Sequence, residues 1–383
     1  MWVNITILVI SFLLFFYISI ILLYRNWFLK LKPFISNTSQ TPTVSFSVLV
    51  PARNEEENIE HCIRSIYSQE YPADLFEVII INDHSTDKTS EIVQSLQHRY
   101  ASLKLIQLQD VLNGKIVNAY KKKAIATAIE KATGDWIVTT DADCIISNQW
   151  LKLYDHYIQQ NNVVFIAAPV LYQNTGKVSS IFQCLDFISL QAITAASVSA
   201  GFHSMCNGAN LAYQKKAFHA VNGFRDIEAK ASGDDMLLMH KIKKNFKGRI
   251  GMLFSQDAIV KTHPMPNWKS FFNQRIRWAS KVSYFSDYKI ISVLLLLYLL
   301  NISVLILPIA GILNSKFLIF WVFIIIIKAF AELLLMKPAA KFFKQEKLLR
   351  WFWLMQPIHI IYTVVAGFMG IAGSYEWKGR NVK

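Results

Sequence analysis

The sequence predicts an α/β domain built on a mostly parallel sheet and carried between membrane-spanning helices at its two ends. Three observations predict it. Apolar residues make up 53% of the 383 residues and charged residues only 17%, whereas ordinary soluble domains carry about 25% charged residues. The excess, which lifts the mean hydropathy to +0.29, lies in the first 24 residues and the last hundred or so. The stretch between them alternates short apolar runs with amphipathic ones, the pattern of parallel strands joined by crossover helices. A disordered chain, a fibrous repeat and a plain soluble enzyme are excluded.

Trp2 to Tyr24 is a nearly unbroken apolar run, long enough to cross a hydrocarbon core of ~30 Å. No charged segment precedes it and no small-x-small cleavage site precedes Arg25, so residues 1–25 read as a retained signal anchor. Arg25, Lys30 and Lys32 follow it, which directs the chain into the cytoplasm. After the polar linker 33–43, FSVLVPA, FEVIIIND, KLIQLQD and WIVTTDADC read as buried strands. Between them lie helical stretches around Ile59, Ile63 and Ile66, then TSEIVQSLQHRY and KKKAIATAIEKATG. In such a sheet functional loops gather at the carboxyl ends of the strands.

NWKSFFNQRIRWASKVSYF is rich in aromatic and basic residues and suits a helix in the membrane interface, with a core helix of the domain as the alternative. The cytosolic domain is thus expected over 44–286. Ile290–Leu313, Phe317–Met336 and Leu354–Gly373 are each of spanning length, so 287–383 is a membrane region of about three spans. Three spans would leave the tail WKGRNVK outside despite Lys378, Arg380 and Lys383, and Gln356, Pro357 and His359 make Leu354–Gly373 the span to suspect of being re-entrant.

The net charge of +14 raises nucleic acid as a partner. The cations instead flank apolar segments, as at Lys337, Lys341, Lys344, Lys347 and Arg350, and no reading module is present. Membrane lipids, not nucleic acid, are the expected partners, in an integral protein of the plasma (inner) membrane. Cys62, Cys144, Cys184 and Cys206 form no C-x-x-C or Cys/His cluster and read as reduced core residues.

Five motifs carry chemistry. Asp141 and Asp143 follow an apolar strand two residues apart; such carboxylates can share Mg2+ or Mn2+ with a phosphate oxygen, an acidic surface loop being the plain alternative. Asp83, at the end of the second strand, can bind a base edge or ribose hydroxyls, with Ser85, Thr86 or Asp87 capping the next helix. Pro51 to Asn58 leaves the first strand, where Asn54 could cap. Ser232-Gly233-Asp234-Asp235-Met236 opens an amphipathic helix, where carboxylates stay ionised and fit for general-base work. In Gln274-Arg275-Ile276-Arg277-Trp278, arginine can grip a diphosphate and tryptophan can stack on a sugar, unless the pair is an interfacial anchor. No G-x-G-x-x-G follows the first strand and no G-x-x-x-x-G-K-[ST] occurs, which disfavours a dinucleotide oxidoreductase and a P-loop ATPase.

In this order, from about Val44 to Tyr284, the motifs resemble the family-2 glycosyltransferases. The similarity is to the membrane-integrated branch of cellulose, hyaluronan and poly-N-acetylglucosamine synthases and ceramide glucosyltransferases. The resemblance implies a nucleotide-sugar-binding, Rossmann-like GT-A fold and a metal-dependent, inverting hexosyltransferase. Its donor would be a UDP-sugar and its acceptor a lipid or saccharide. It places Pro51, Arg53, Glu55 and Asp83 around the uridine and Lys121 and Arg277 on the diphosphate. Asp141 and Asp143 become the D-x-D motif, with Asp143 the direct metal ligand. Asp235 becomes the base, beside Asp234 where Glu is usual, and Gln274, Trp278, Asn207 and Gly208 the acceptor side. Tyr120 stands before Lys121 where the family often has Gly. His263 reads as a loop histidine, with reach to the metal as its alternative. A modest span count favours single transfer to a lipid over a processive β-polysaccharide synthase.

Overall fold

The computed structural model describes residues 1–36, 40–115, 117–228, 233–285, 287–372, 375–377 and 380–382. Four parallel strands, β1 (Phe46–Ala52), β2 (Phe76–Asn82), β3 (Leu103–Gln107) and β4 (Trp136–Thr139), lie in the order β3-β2-β1-β4. Every residue of β2 and β4 is buried, because helices cover both faces of a parallel sheet. Those helices include α2 (Ile59–Tyr67), α3 (Thr89–Gln97), the short α4 (Leu108–Leu112), α5 (Tyr120–Lys131) and α6 (Trp150–Gln160). Ile59, Ile63 and Ile66 are the buried stripe of α2, as their spacing predicts.

The sheet continues past β4 with one reversed strand. Of β5 (Phe165–Ala167), β6 (Val170–Tyr172), β7 (Leu211–Gln214), β8 (Ile250–Met252) and β9 (Val260–Thr262), β7 is antiparallel to both β4 and β5, β5 is parallel to β8, and β6 pairs β9 in a separate ribbon. Helix α7 (Val178–Ser199) is long and apolar enough to cross a membrane, yet 83% of its apolar window is buried inside the protein, against α1 (Trp2–Lys30) and others. Then come α8 (Lys215–Ala220), α9 (Met236–Asn245) and α10 (Trp268–Ala279), the last capped by Asn267, whose side chain accepts from Ser270 N–H at 2.9 Å.

Helices α11 (Tyr288–Leu313), α12 (Lys316–Phe342) and α13 (Phe352–Ala372) follow. Together with α1 they are long and apolar enough to span a bilayer, and they expose Leu8, Phe12, Ile309, Ile319 and Phe368 as lipid-facing surfaces do. The α10 helix buries Phe271, Arg275 and Ile276 and packs against α13, so it sits between the domain and the long apolar helices. The end of α12 is docked on the domain: Phe342 stacks on Phe254 at 3.9 Å and its carbonyl accepts from Gln256 at 2.8 Å. α13 starts beside that end, yet its last turn comes back to α10. A Cβ on Gly370 would lie 2.7 Å from Ala279 Cβ and 2.9 Å from Ser280 N, so only glycine permits this approach. The hairpin β10 (Tyr375–Trp377) and β11 (Arg380–Val382) follows, with β10 beside α10.

Register fixes the site. Ala52 lies opposite Asn82 and Leu49 opposite Thr139, so the chain leaves β1, β2 and β4 along one edge.

Candidate active site

The β1 and β2 exits are stitched together. Arg53 Nη1 donates to the carbonyls of Asp83 at 3.0 Å and His84 at 3.3 Å. Asn54 N–H donates to Ser85 Oγ at 3.0 Å, Thr86 N–H to Asn54 Oδ1 at 2.9 Å and Glu55 N–H to Thr89 Oγ1 at 2.8 Å. Asn54 and Ser85, two of the residues read as helix caps, therefore tie loop to loop. Asp87 does the capping work, accepting from Thr89 N–H at 3.0 Å. Asp83 is buried with its carboxylate 2.9 Å from His84 Nδ1.

At the β4 exit, Lys121 Nζ donates to Asp141 Oδ1 at 2.7 Å and lies 3.5 Å from Asp234 Oδ2. Burial alone would lower its pKa, but the two carboxylates outweigh burial and hold the ammonium well above its ordinary range. Asp143 Oδ2 accepts from the Thr262 hydroxyl at 3.0 Å, and the Cys144 thiol faces Oδ1 at 3.7 Å. Burial, then Asp143 and Asp141, push the Cys62 and Cys144 thiols up, so both stay neutral.

Asp235 caps α9, accepting from Met236 N–H at 2.7 Å and from Gly208 N–H at 3.3 Å, with Lys281 Nζ 3.5 Å away. Burial acts to raise its pKa; Lys281, the Met236 N–H and Lys121 together overcome this and hold it below the usual carboxylate range. Asp235 is thus a carboxylate at neutral pH. Asp234 belongs to the same cluster through Lys121; Ser232, before it in the motif, lies outside the described residues.

Gly208 lies against the charged cluster. A Cβ there would be 3.4 Å from Asp234 Oδ2 and 3.5 Å from Lys121 Nζ, and the Gly208 carbonyl accepts from Thr139 Oγ1 at 2.8 Å. Asn207 Oδ1 accepts from Ala209 N–H at 3.0 Å. The loop is anchored by buried Asn210, whose Oδ1 accepts from Trp150 Nε1 at 2.9 Å and the Tyr154 hydroxyl at 2.8 Å.

The β4 exit, the Asn207–Gly208 loop and the start of α9 open onto one cavity of about 630 Å³. Lys121, Asp141, Asp143, Asp234 and Asp235 line it from the domain, and Asn207, Gly208, His263, Gln274, Arg277 and Trp278 complete that end. The other end runs between the apolar helices, past Ile21 of α1, Leu294 of α11, Leu335 of α12 and Met355 of α13. Pro51, Arg53, Glu55 and Asp83 are not among its lining residues; they form the neighbouring strand-end edge. Lys281 beside Asp235 and Arg275 beneath Trp278 are cavity residues that the sequence reading did not place in the site. Their basic character was legible, but their partners are distant in the chain. Among the described residues no three His, Cys, Asp or Glu side chains group as a metal cage. Asp141 and Asp143 offer two hard oxygen donors, and Asp141 already binds a cation, the Lys121 ammonium. That fits a hard divalent ion completed by phosphate oxygens.

A parallel sheet presenting paired carboxylates and an ionised helix-capping carboxylate to one cavity defines a GT-A glycosyltransferase. The chain belongs to glycosyl transferase family 2: that family's pattern matches residues 47–218, and the pattern of glycosyl transferase family group 2 matches 136–336. Over 208 residues it is 25% identical to the poly-beta-1,6-N-acetyl-D-glucosamine synthase of Staphylococcus epidermidis, covering 53% of this chain and 48% of that one. Over 141 residues it is 32% identical to the glycosyltransferase AglE of Haloferax volcanii, covering 36% and 43%. The chain thus spans about half the length of these relatives, or less. Its fold is similar to that of the mannosyltransferase PcManGT from Pyrobaculum calidifontis, solved with GDP-Man and Mn2+, with a TM-score of 0.53 at 17% identity over 95% of this chain and 98% of that one.

Proposed function

We propose that this chain is an inverting hexosyltransferase that moves a sugar from a UDP-sugar to a lipid hydroxyl at the cytosolic face of the plasma (inner) membrane. The observation that carries the reading is the single cavity joining Asp141, Asp143 and Asp235 to the apolar interior of α1, α11, α12 and α13. A lipid can lay its hydrocarbon there while its hydroxyl meets the carboxylates.

Asp235 takes the proton of that hydroxyl as its oxygen bonds to C1 of the sugar; the C1–O bond to the diphosphate breaks, and UDP leaves with the electron pair. One in-line displacement inverts the anomeric centre, so an α-linked donor gives a β-glycoside. Lys121 and Arg277 are the cations placed to meet charge growing on the leaving diphosphate. Mg2+ or Mn2+, when held by Asp141 and Asp143, supplies further charge neutralisation there. Pro51, Arg53, Glu55 and Asp83 hold the uridine along the adjoining edge, while Gln274, Trp278, Asn207 and Gly208 bound the acceptor.

A second reading, a processive β-polysaccharide synthase, is favoured by the Q-x-x-R-W sequence and the likeness to the poly-beta-1,6-N-acetyl-D-glucosamine synthase. Membranes incubated with Mn2+ and labelled UDP-sugars separate the two. The label is expected in a chloroform–methanol extract as a small glycolipid with UDP released. Label held in a high-molecular-weight band would establish the polymer instead, and release of UMP would make the enzyme a phosphosugar transferase.

In this reading α1, α11 and α12 cross the bilayer and α13 is re-entrant, because its last turn packs on Ala279 and Ser280. The basic tail then shares the domain's side, and the conflict with the charge rule disappears. A tag placed after Lys383 is expected to resist impermeant reagents in intact cells; labelling there would make α13 a further crossing.

A further inference from the structure

Arg275 is 4% exposed and bound on every side. Its Nη2 and Nε donate to Asp186 Oδ2 of α7 at 2.6 and 3.1 Å. Its Nη1 donates to Gln274 Oε1 at 2.5 Å, an oxygen that also accepts from the Tyr172 hydroxyl at 3.3 Å. The guanidinium lies 4.6 Å from the Phe271 ring centre and 4.2 Å from that of Trp278. Asp186 in turn accepts from the Tyr362 hydroxyl of α13, and the Tyr362 ring packs 5.3 Å from Phe271 and 5.7 Å from Phe182. Arg275, Asp186 and Tyr362 all border the same cavity as the base.

A buried Arg–Asp pair costs desolvation on both partners, so it is weak evidence of stabilisation for its own sake. What this pair does geometrically is specific. A planar guanidinium that both stacks and donates in a fork fixes the groups around it in a way that lysine cannot. Here the groups fixed are Gln274 and Trp278, the two α10 side chains of the acceptor end, and the groups doing the fixing belong to α7 and α13.

We infer that Arg275 is a positioning residue for the acceptor: it orders Gln274 and Trp278 and takes its own place from Asp186 and Tyr362, so the seating of α13 sets the acceptor half of the cleft. The inference rests on the glycosyl-transfer reading but not on whether the acceptor is a lipid or a saccharide. The donor half is built mainly on the sheet edge and Lys121, with Arg277 as its contribution from α10.

The test uses the full-length enzyme in detergent micelles with Mn2+ and labelled UDP-glucose or UDP-N-acetylglucosamine. UDP affinity and UDP release without acceptor report the donor half. Transfer to a total lipid extract of the expression host, and in parallel to chito-oligosaccharides, reports the acceptor half. Arg275→Lys keeps the buried charge and loses the fork and the stack; it is expected to cut acceptor kcat/KM about tenfold or more, chiefly through KM, while UDP affinity and acceptor-free release fall far less. Tyr362→Phe removes only one hydroxyl from Asp186 and is expected to move the same ratio in the same direction by a smaller factor. If Arg275→Lys lowers release and transfer in proportion, or changes neither, the positioning role is overturned. Wild-type transfer to the saccharides alone would reject the lipid reading while the ratio still tests Arg275; no wild-type transfer to either acceptor overturns both.

Discussion

Asp235→Asn is expected to lower transfer about 10²–10⁴-fold, the usual worth of a positioned general base, while UDP binds as tightly as before. The substitution is nearly isosteric. The side-chain oxygen still accepts from Met236 N–H, now at 2.7 Å, so the first turn of α9 stays capped. What is lost is the negative charge that Lys281, the Met236 N–H and Lys121 keep ionised against the cost of burial. An amide at this position cannot take a proton from an acceptor hydroxyl. The donor half loses nothing, since Lys121 and Asp141 keep their 2.7 Å contact. Asp234→Asn is the control, because Asp234 meets the cluster at 3.5 Å through Lys121; its effect should be the smaller of the two. Initial rates of UDP release with acceptor, beside UDP titration of the same samples, check both. Turnover within about threefold of wild type in Asp235→Asn would remove Asp235 from the base role.

Why that residue was legible, and others were not, is a matter of range. β1, β2 and β4 are apolar runs followed within two residues by Asn or Asp, and a parallel sheet must send their exits to one edge, so the placing of Asp83 and Asp141 at strand exits on that edge follows from local pattern. β5, β6, β8 and β9 are three residues each, too short for any period to show. α7 is buried nearly all round, so it has no polar face to give it away, and its apolar window looks no different from a membrane helix. The ties that complete the site are ion pairs over long separations. Lys281 reaches Asp235, Arg275 reaches Asp186, and Lys121 reaches Asp234. Each cation reads locally as part of a basic helix or an interfacial stripe. Only the fold shows which carboxylate it neutralises. The same holds for α13: its polar residues cast doubt on a simple crossing, but Gly370 against Ala279 is a tertiary fact.

Asp143→Asn is the second large effect, expected to lower transfer about 10²–10³-fold, as losing one group that stabilises leaving-group charge commonly does, and to raise the Mn2+ concentration needed for half-activity. The two D-x-D carboxylates are not equivalent in this structure. Asp141 holds the Lys121 ammonium at 2.7 Å, so its removal also releases Lys121 towards Asp234 and disturbs the base cluster. Asp143 accepts from the Thr262 hydroxyl at 3.0 Å on one oxygen and faces the Cys144 thiol at 3.7 Å with the other; an asparagine oxygen can keep the first contact, with its NH2 turned to the thiol. Its amide presents a weaker and uncharged donor to a hard cation. Asp143→Asn should therefore fold normally and fail through metal and diphosphate, whereas Asp141→Asn should also disturb the dependence on pH through Lys121 and Asp235. Chelation of the wild type with EDTA is expected to reproduce the Asp143→Asn loss, and Mn2+ to restore the wild type at concentrations that leave the variant slow. A variant with the wild-type Mn2+ titration and rate would show that Asp143 holds no metal, and the charge on the leaving diphosphate would then be met by Lys121 and Arg277 without it.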